Sequence, residues 1–165
     1  MHELTARRAT VKDAALLAGI MNEGAARKRE LNDTIWGDEP YTKQETKDLI
    51  EHHPTYLVYR GDELVGTVTL QWEDEAVWGK TQLDAGYVHR LVVKNSLHGQ
   101  GLGEQIMEWA AHEAAKNDRQ FLRLDCDLNN KGLCAYYEKL GFTLTGTGTK
   151  DESDGYIPAL YQKAV

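Results

Sequence analysis

Three glycines, Gly99, Gly101 and Gly103, stand at alternate positions in "LVVKNSLHGQGLGEQIMEWA" (91–110), between an apolar run and an amphipathic one. Residues without side chains at a helix start leave the free N–H groups of the first turn open, and these suit an anion such as pyrophosphate. A Walker phosphate loop is excluded, because it needs Gly-Lys followed by Ser or Thr, and here Gly103 is followed by Glu104. A dinucleotide fingerprint, G-x-G-x-x-G, fails as well, since counting from Gly99 puts its third glycine at Glu104. That fingerprint also belongs at the first strand of a βαβ unit, with an acidic residue about 20 positions later. Two readings are left: a turn that binds an anion, or a turn that serves only tight packing. Three alternate glycines directly before a strong helix favour the first.

The wider composition narrows the chemistry. Cys126 and Cys134 are the two cysteines, and their spacing fits neither a C-x-x-C pair nor a disulfide framework. They read as two small buried residues, and no metal site is expected. A net charge of −7 and a pI near 5.3 argue against a broad nucleic-acid surface, which needs a basic face. The same acidity mildly suits a cationic substrate such as an amine. The start "MHELTARRAT" lacks a basic segment followed by an apolar core, and the longest apolar run, "AALLAGIM", is too short to span a bilayer. A cytoplasmic protein without membrane contact is therefore expected. At 165 residues, with no linker in view, one domain is expected over residues 1–165.

The elements that must hold the turn follow from periodicity. "LTARRAT" (4–10) reads as a strand, and residues 11–25 as a helix whose Ala15, Leu16, Ile20 and Met21 share a face. Thr10 with Asp13, and Thr42 with Glu45, have capping-box spacing, the second opening a helix to about His52. Residues 30–41 read as a loop. "TYLVYR" and "ELVGTVTLQWE" joined by Gly61 and Asp62 make a hairpin. A strand at 84–93, a helix at 103–117 with Leu102, Ile106, Trp109 and Ala110 on one face, and a strand at 121–128 follow. The last of these should be buried on both faces near its start. A short helix, "KGLCAYYEKL", stops at Gly141, a natural C-cap, before two closing strands around "TKDESDG" (149–155). The order βααβββαβαββ implies an α+β fold with one parallel crossover in a mostly antiparallel sheet.

Two stretches then resemble one family. "LVVKNSLHGQGLG" resembles the acetyl-CoA signature of the GNAT acetyltransferase superfamily, [Q/R]-x-x-G-x-[G/A], with His98 at the Gln/Arg position and Gly101 and Gly103 as the small residues. "NKGLCAYYEKLGF" (130–142) resembles its second segment, N-x-x-A followed by Y-x-K-x-G-F, with Leu133 in place of the usual Ala. The resemblance covers nearly the whole chain. It implies the GNAT acyl-CoA N-acyltransferase fold, a mixed, mostly antiparallel sheet of six to seven strands flanked by about four helices.

The resemblance also implies roles. Backbone groups at Leu91 and Val93 would pair with the pantetheine arm of acetyl-CoA, as a sheet edge pairs with an added strand. The amides of Gly99, Gln100, Gly101, Leu102, Gly103 and Glu104 would surround the pyrophosphate, with His98 at the position whose side chain contacts phosphate. Asn130 would bond the pantetheine arm, cap the helix after it, or do both. Tyr137 matches the proton donor to the departing thiolate, while Tyr136 beside it belongs to the core. A base must deprotonate the amine; His89, whose imidazole titrates in the useful range, is the candidate, set against a structural histidine. Strand alternation would put residues 87, 89, 91 and 93 on one face. Glu73, Asp74, Glu75 and Asp84 are candidates for a proton path or a cation site, and Trp36, Tyr41 and Trp72 for an aromatic wall; solvated turns and core packing are the plainer readings of each. The implied function is acetyl transfer from acetyl-CoA to a primary amine of a small molecule or peptide. A non-catalytic acyl-CoA sensor is the alternative, and a homodimer is left open.

Overall fold

The computed structural model describes residues 3–33, 35–148 and 155–165. Most of the loop expected at 149–155 lies outside the described residues. Seven strands, β1 (Leu4–Arg8), β2 (Thr55–Arg60), β3 (Glu63–Gln71), β4 (Ala85–Val93), β5 (Phe121–Asp127), β6 (Thr143–Thr147) and β7 (Pro158–Ala164), hydrogen-bond in the order β1-β2-β3-β4-β5-β7-β6. The helices are α1 (Ala14–Glu30), α2 (Lys43–His52), α3 (Glu75–Trp78), α4 (Leu102–Lys116) and α5 (Lys131–Lys139). This is the expected mixed α+β sheet, with β4 and β5 as its parallel pair. The one-turn α3 lies where a polar turn was expected. No helix among the described residues is long and apolar enough to cross a membrane.

The chain forms two compact units. The first holds residues 1–70 and 89–107, and the second residues 71–88 and 108–165. In the first, β1 and β2 pair antiparallel from Leu4↔Arg60, and β2 turns into β3 through Gly61 and Asp62, as predicted. Helix α1 begins after a single 3-10 turn, where the Asp13 carboxylate accepts the Thr10 N–H at 2.8 Å in the expected box. It runs five residues past the predicted end at residue 25, to Glu30. Its buried stripe includes Ala14, Leu17, Ala18, Ile20 and Met21, so Ile20 and Met21 face inward as expected, while Ala15 and Leu16 are exposed and Leu17 takes the inward place. Leu17, Ile20 and Met21 pack with Ile50, Leu57 and Val92, each side chain contributing about 1.5–3 kcal/mol on burial. Thr42 opens α2 with both bonds of its capping box.

In the second unit the β4–β5 ladder pairs Ala85↔Phe121 through Tyr87↔Arg123, and β7 runs antiparallel to both β5 and β6. β5 alternates instead of being buried on both faces: Leu122, Leu124 and Cys126 are buried, while Phe121, Arg123, Asp125 and Asp127 are half-buried. The alternate face carries polar work. Arg123 donates to Asp84 Oδ1 at 3.0 Å, to the Tyr87 hydroxyl at 3.0 Å and to Gln162 Oε1 at 2.8 Å, and its guanidinium lies 5.1 Å from the Trp78 ring. Asp84, expected as a candidate for a proton path or cation site, is thus the partner of an internal arginine. Trp72, a candidate for the aromatic wall, lies under the Arg119 guanidinium at 5.4 Å.

Candidate donor-binding turn and active site

In the first unit, β4 leads through a 3-10 turn at Asn95–Leu97 into the glycine turn and then α4. Gly99 and Gly101 have φ of 82° and 70°, a left-handed conformation that side chains resist. A Cβ at either position would meet nothing within 4 Å. These two glycines therefore do not serve tight packing within the protein; they set a backbone path and leave space before it. Gln105 N–H donates to Gly101 C=O at 3.2 Å as the opening bond of α4. The amides of Leu102, Gly103 and Glu104 precede that bond and belong to the unsatisfied first turn.

Several contacts fix it. The Asn95 N–H donates to the Glu23 carboxylate of α1. The His98 ring donates Nε2–H to the Val93 carbonyl at 3.1 Å, so this nitrogen serves the end of β4. Burial lowers the His98 pKa below its usual value, and the nearby Arg27 charge adds to the fall. Arg60 donates to the Gln100 side chain at 2.9 Å. Sequence reasoning missed Glu23 and Arg60, because their partners lie 72 and 40 residues away along the chain and no local pattern marks them.

The alternation expected along β4 breaks at Arg90, whose φ is 49°. A residue in left-handed conformation shifts the phase of those after it. Tyr87, His89, Leu91 and Val93 therefore do not share one continuous face. Tyr87 is fully buried, and its hydroxyl bonds Thr81 at 3.0 Å. His89 is half-buried next to the break.

In the second unit, Asn130 caps α5: its Oδ1 accepts the Leu133 N–H at 3.1 Å. The other end of α5 closes in a Schellman motif. Gly141 N–H donates to Glu138 C=O at 3.0 Å and Phe142 N–H to Tyr137 C=O at 3.1 Å, with Gly141 at φ 90°. The hydrophobic contact that accompanies this motif is here made by Phe142 and Tyr137, ring centroids 6.0 Å apart. The Tyr161 ring lies 6.2 Å from Tyr137 on its other flank, and its hydroxyl donates to Glu138 Oε1 at 2.9 Å. Burial pushes the Tyr161 phenol above its usual pKa. Tyr136, expected in the core, is only half-buried, with its ring 5.3 Å from that of Tyr137.

The sequence model of the acetyltransferase (GNAT) family matches residues 23–142, a span that includes the glycine turn and α5. The chain belongs to the GNAT family of acetyl-CoA-dependent acetyltransferases. It is 26% identical to the uncharacterized N-acetyltransferase YesJ of Bacillus subtilis, over 95% of this chain and 88% of that protein. Among solved structures it is similar to a GNAT acetyltransferase of Listeria monocytogenes, with a TM-score of 0.79 and 25% identity over 98% and 95% of the two chains. It shares its fold with yncA of Salmonella typhimurium, solved with acetyl-CoA, at a TM-score of 0.69 and 17% identity over 98% and 94%. In this acetyltransferase the turn residues 98–104 lie in the first unit, and Asn130 and Tyr137 in the second.

The two cysteines are buried, 3.8 Å apart at sulfur, as expected of small core residues. Burial raises the Cys126 thiol well above its usual pKa, and Cys134 adds to that.

Proposed function

We propose that residues 1–165 work as one domain that transfers the acetyl group of acetyl-CoA directly to a primary amine of a small molecule or peptide. The observation that carries this reading is the glycine turn: two left-handed glycines with open space before them, ahead of free first-turn amides. The pyrophosphate lies over the amides of residues 99–104, and the backbone of Leu91 and Val93 holds the pantetheine arm. The Asn130 carbonyl oxygen is committed to its cap, so its amide N–H is the group left to bond that arm.

The amine nitrogen attacks the thioester carbonyl carbon, the C–S bond breaks, the thiolate takes the Tyr137 phenolic proton, and the second proton shed by the new amide nitrogen restores the phenol. His89 accepts the proton that the amine loses. An amine of pKa near 10 is mostly protonated at neutral pH, so this loss must precede attack. General-acid help from Tyr137 is worth about 10²–10⁴-fold.

Calorimetric titration with CoA and acetyl-CoA tests the donor, and a thiol-release screen against amino acids, polyamines, aminoglycosides and peptides tests the acceptor. No heat at millimolar ligand sinks the proposal. CoA binding without thiol release above background from any amine would favour the acyl-CoA sensor instead.

A further inference from the structure

Neither family segment contains the guanidinium that touches the glycine turn. Arg60, the last residue of β2, donates from Nη1 to Gln100 Oε1 at 2.9 Å and from Nη2 to Glu63 Oε2 at 2.8 Å. The hairpin places it there. Arg60 faces Glu63 across the ladder at the two-residue turn, and Lys94 N–H, just beyond β4, donates to Val65 C=O of β3 at 2.9 Å. The turn end of the hairpin therefore lies beside the exit of β4. About a third of the Arg60 side chain is open to solvent, and half of Glu63 is exposed. Gln100 itself sits between the two glycines whose Cβ directions are empty. His98, the one side chain of the turn that might have offered a positive charge, has its Nε2–H on the Val93 carbonyl and a lowered pKa.

We propose that Arg60 is a donor-binding residue: its guanidinium takes up a phosphate of CoA in exchange for the Glu63 carboxylate. This rests on the reading of the turn as the CoA pyrophosphate site. A guanidinium is a planar fork of donors that matches phosphate oxygens, and it keeps its charge at any working pH. Gln100 is a neutral partner that orients the fork without cancelling its charge. Glu63 is an exposed partner, so exchanging it for phosphate costs little, because surface ion pairs are worth about 0–1 kcal/mol. Glu63 then acts as a brake on donor binding.

The test is calorimetric titration of the full chain with CoA and with dephospho-CoA, which keeps the pyrophosphate and lacks the 3′-phosphate. Arg60→Ala is expected to weaken CoA about tenfold and to flatten the salt dependence of binding. Glu63→Gln is expected to tighten CoA two- to threefold, roughly the gain from freeing one screened surface ion pair. An Arg60→Ala loss of equal size with both ligands assigns the contact to the pyrophosphate; a loss confined to CoA assigns it to the 3′-phosphate. Either supports the proposal. It is overturned if the parent binds CoA and Arg60→Ala binds it equally well. It is also overturned if Glu63→Gln weakens CoA binding or leaves it unchanged, the pattern of an arginine that only props the turn. Glu63→Gln alters one exposed side chain, so its sign decides the matter even if Arg60→Ala folds poorly. A parent chain that binds no CoA would bring down the donor reading and this one together.

Discussion

Gly66 on β3 offers a sharp test of how the donor strand is held. A Cβ there would lie 2.3 Å from the Val92 carbonyl oxygen and 3.3 Å from Ile106 Cδ1. Close carbon–oxygen contacts settle near 3.3 Å, so Gly66→Ala must part β3 from β4 by about 1 Å. The obstacle is backbone, and no side-chain rotation relieves it. Overpacking of this kind costs about 1–3 kcal/mol, and the rigid obstacle puts this case at the upper end. For a chain of this length each kcal/mol is about 2–4 °C in Tm, so unfolding should come roughly 6–12 °C earlier. The displaced oxygen belongs to the residue between Leu91 and Val93, so CoA affinity should fall too, by about tenfold if 1.4 kcal/mol of the strain reaches the bound state. Gly24 on α1 supplies the control. A Cβ at Gly24 would meet Val92 Cγ1 at 2.7 Å and Cγ2 at 2.9 Å, a side chain that can be trimmed. Gly24→Ala should therefore be rescued in part by Val92→Ala, whereas Gly66→Ala should not. Thermal unfolding followed by circular dichroism, with calorimetric CoA titration, reads both effects. An unchanged Tm and an unchanged CoA Kd for Gly66→Ala would refute the reasoning.

Three further outcomes are expected. Tyr137→Phe should lower kcat about 10²–10⁴-fold on an identified acceptor and leave CoA affinity nearly unchanged, since only the proton is lost; full kcat would remove Tyr137 from the acid role. The folded chain resists protonating His98, so below a pH of about 6.5 the unfolded chain binds the extra proton and stability is lost as pH falls. A His98→Gln variant should lose that part of the acid sensitivity and keep CoA affinity, because Gln can still donate to Val93; Tm scans from pH 8 to 5 on both proteins check the sign. The buried Cys126 and Cys134 thiols should react with a thiol reagent only on unfolding, and rapid labelling of the native chain would contradict their burial.

Local chemistry made much of this molecule legible in its sequence. Thr42 with Glu45, Gly61 with Asp62, and Gly141 after a short apolar helix each specify a turn or cap within a few residues, and each forms as read. The glycine turn was readable for the same reason, since a left-handed backbone leaves few residue choices. The failures share another cause. Leu16 reads as inward from its apolar type, yet the neighbouring Leu17 packs on the core in its place, and Arg90 breaks the strand alternation with a backbone state that its residue type does not advertise. Asp84 found Arg123 at a distance of 39 residues, and Arg60 found Gln100 at 40, pairings that only the assembled sheet creates.

The Schellman closure of α5 carries a consequence for how this enzyme can change over generations. Tyr137 is placed by Gly141 and Phe142, at the end of its own helix, and by the neighbouring Tyr161 ring, all of them parts of the scaffold. Loops elsewhere in the chain can then lengthen, shorten or exchange residues while the proposed proton donor stays where it is. A single-residue insertion between Tyr137 and Gly141 is a different matter, since it would turn Tyr137 by about 100° relative to its closing residues. Drift in substrate choice is thereby open to this chain, and drift in the length of that one helix is closed.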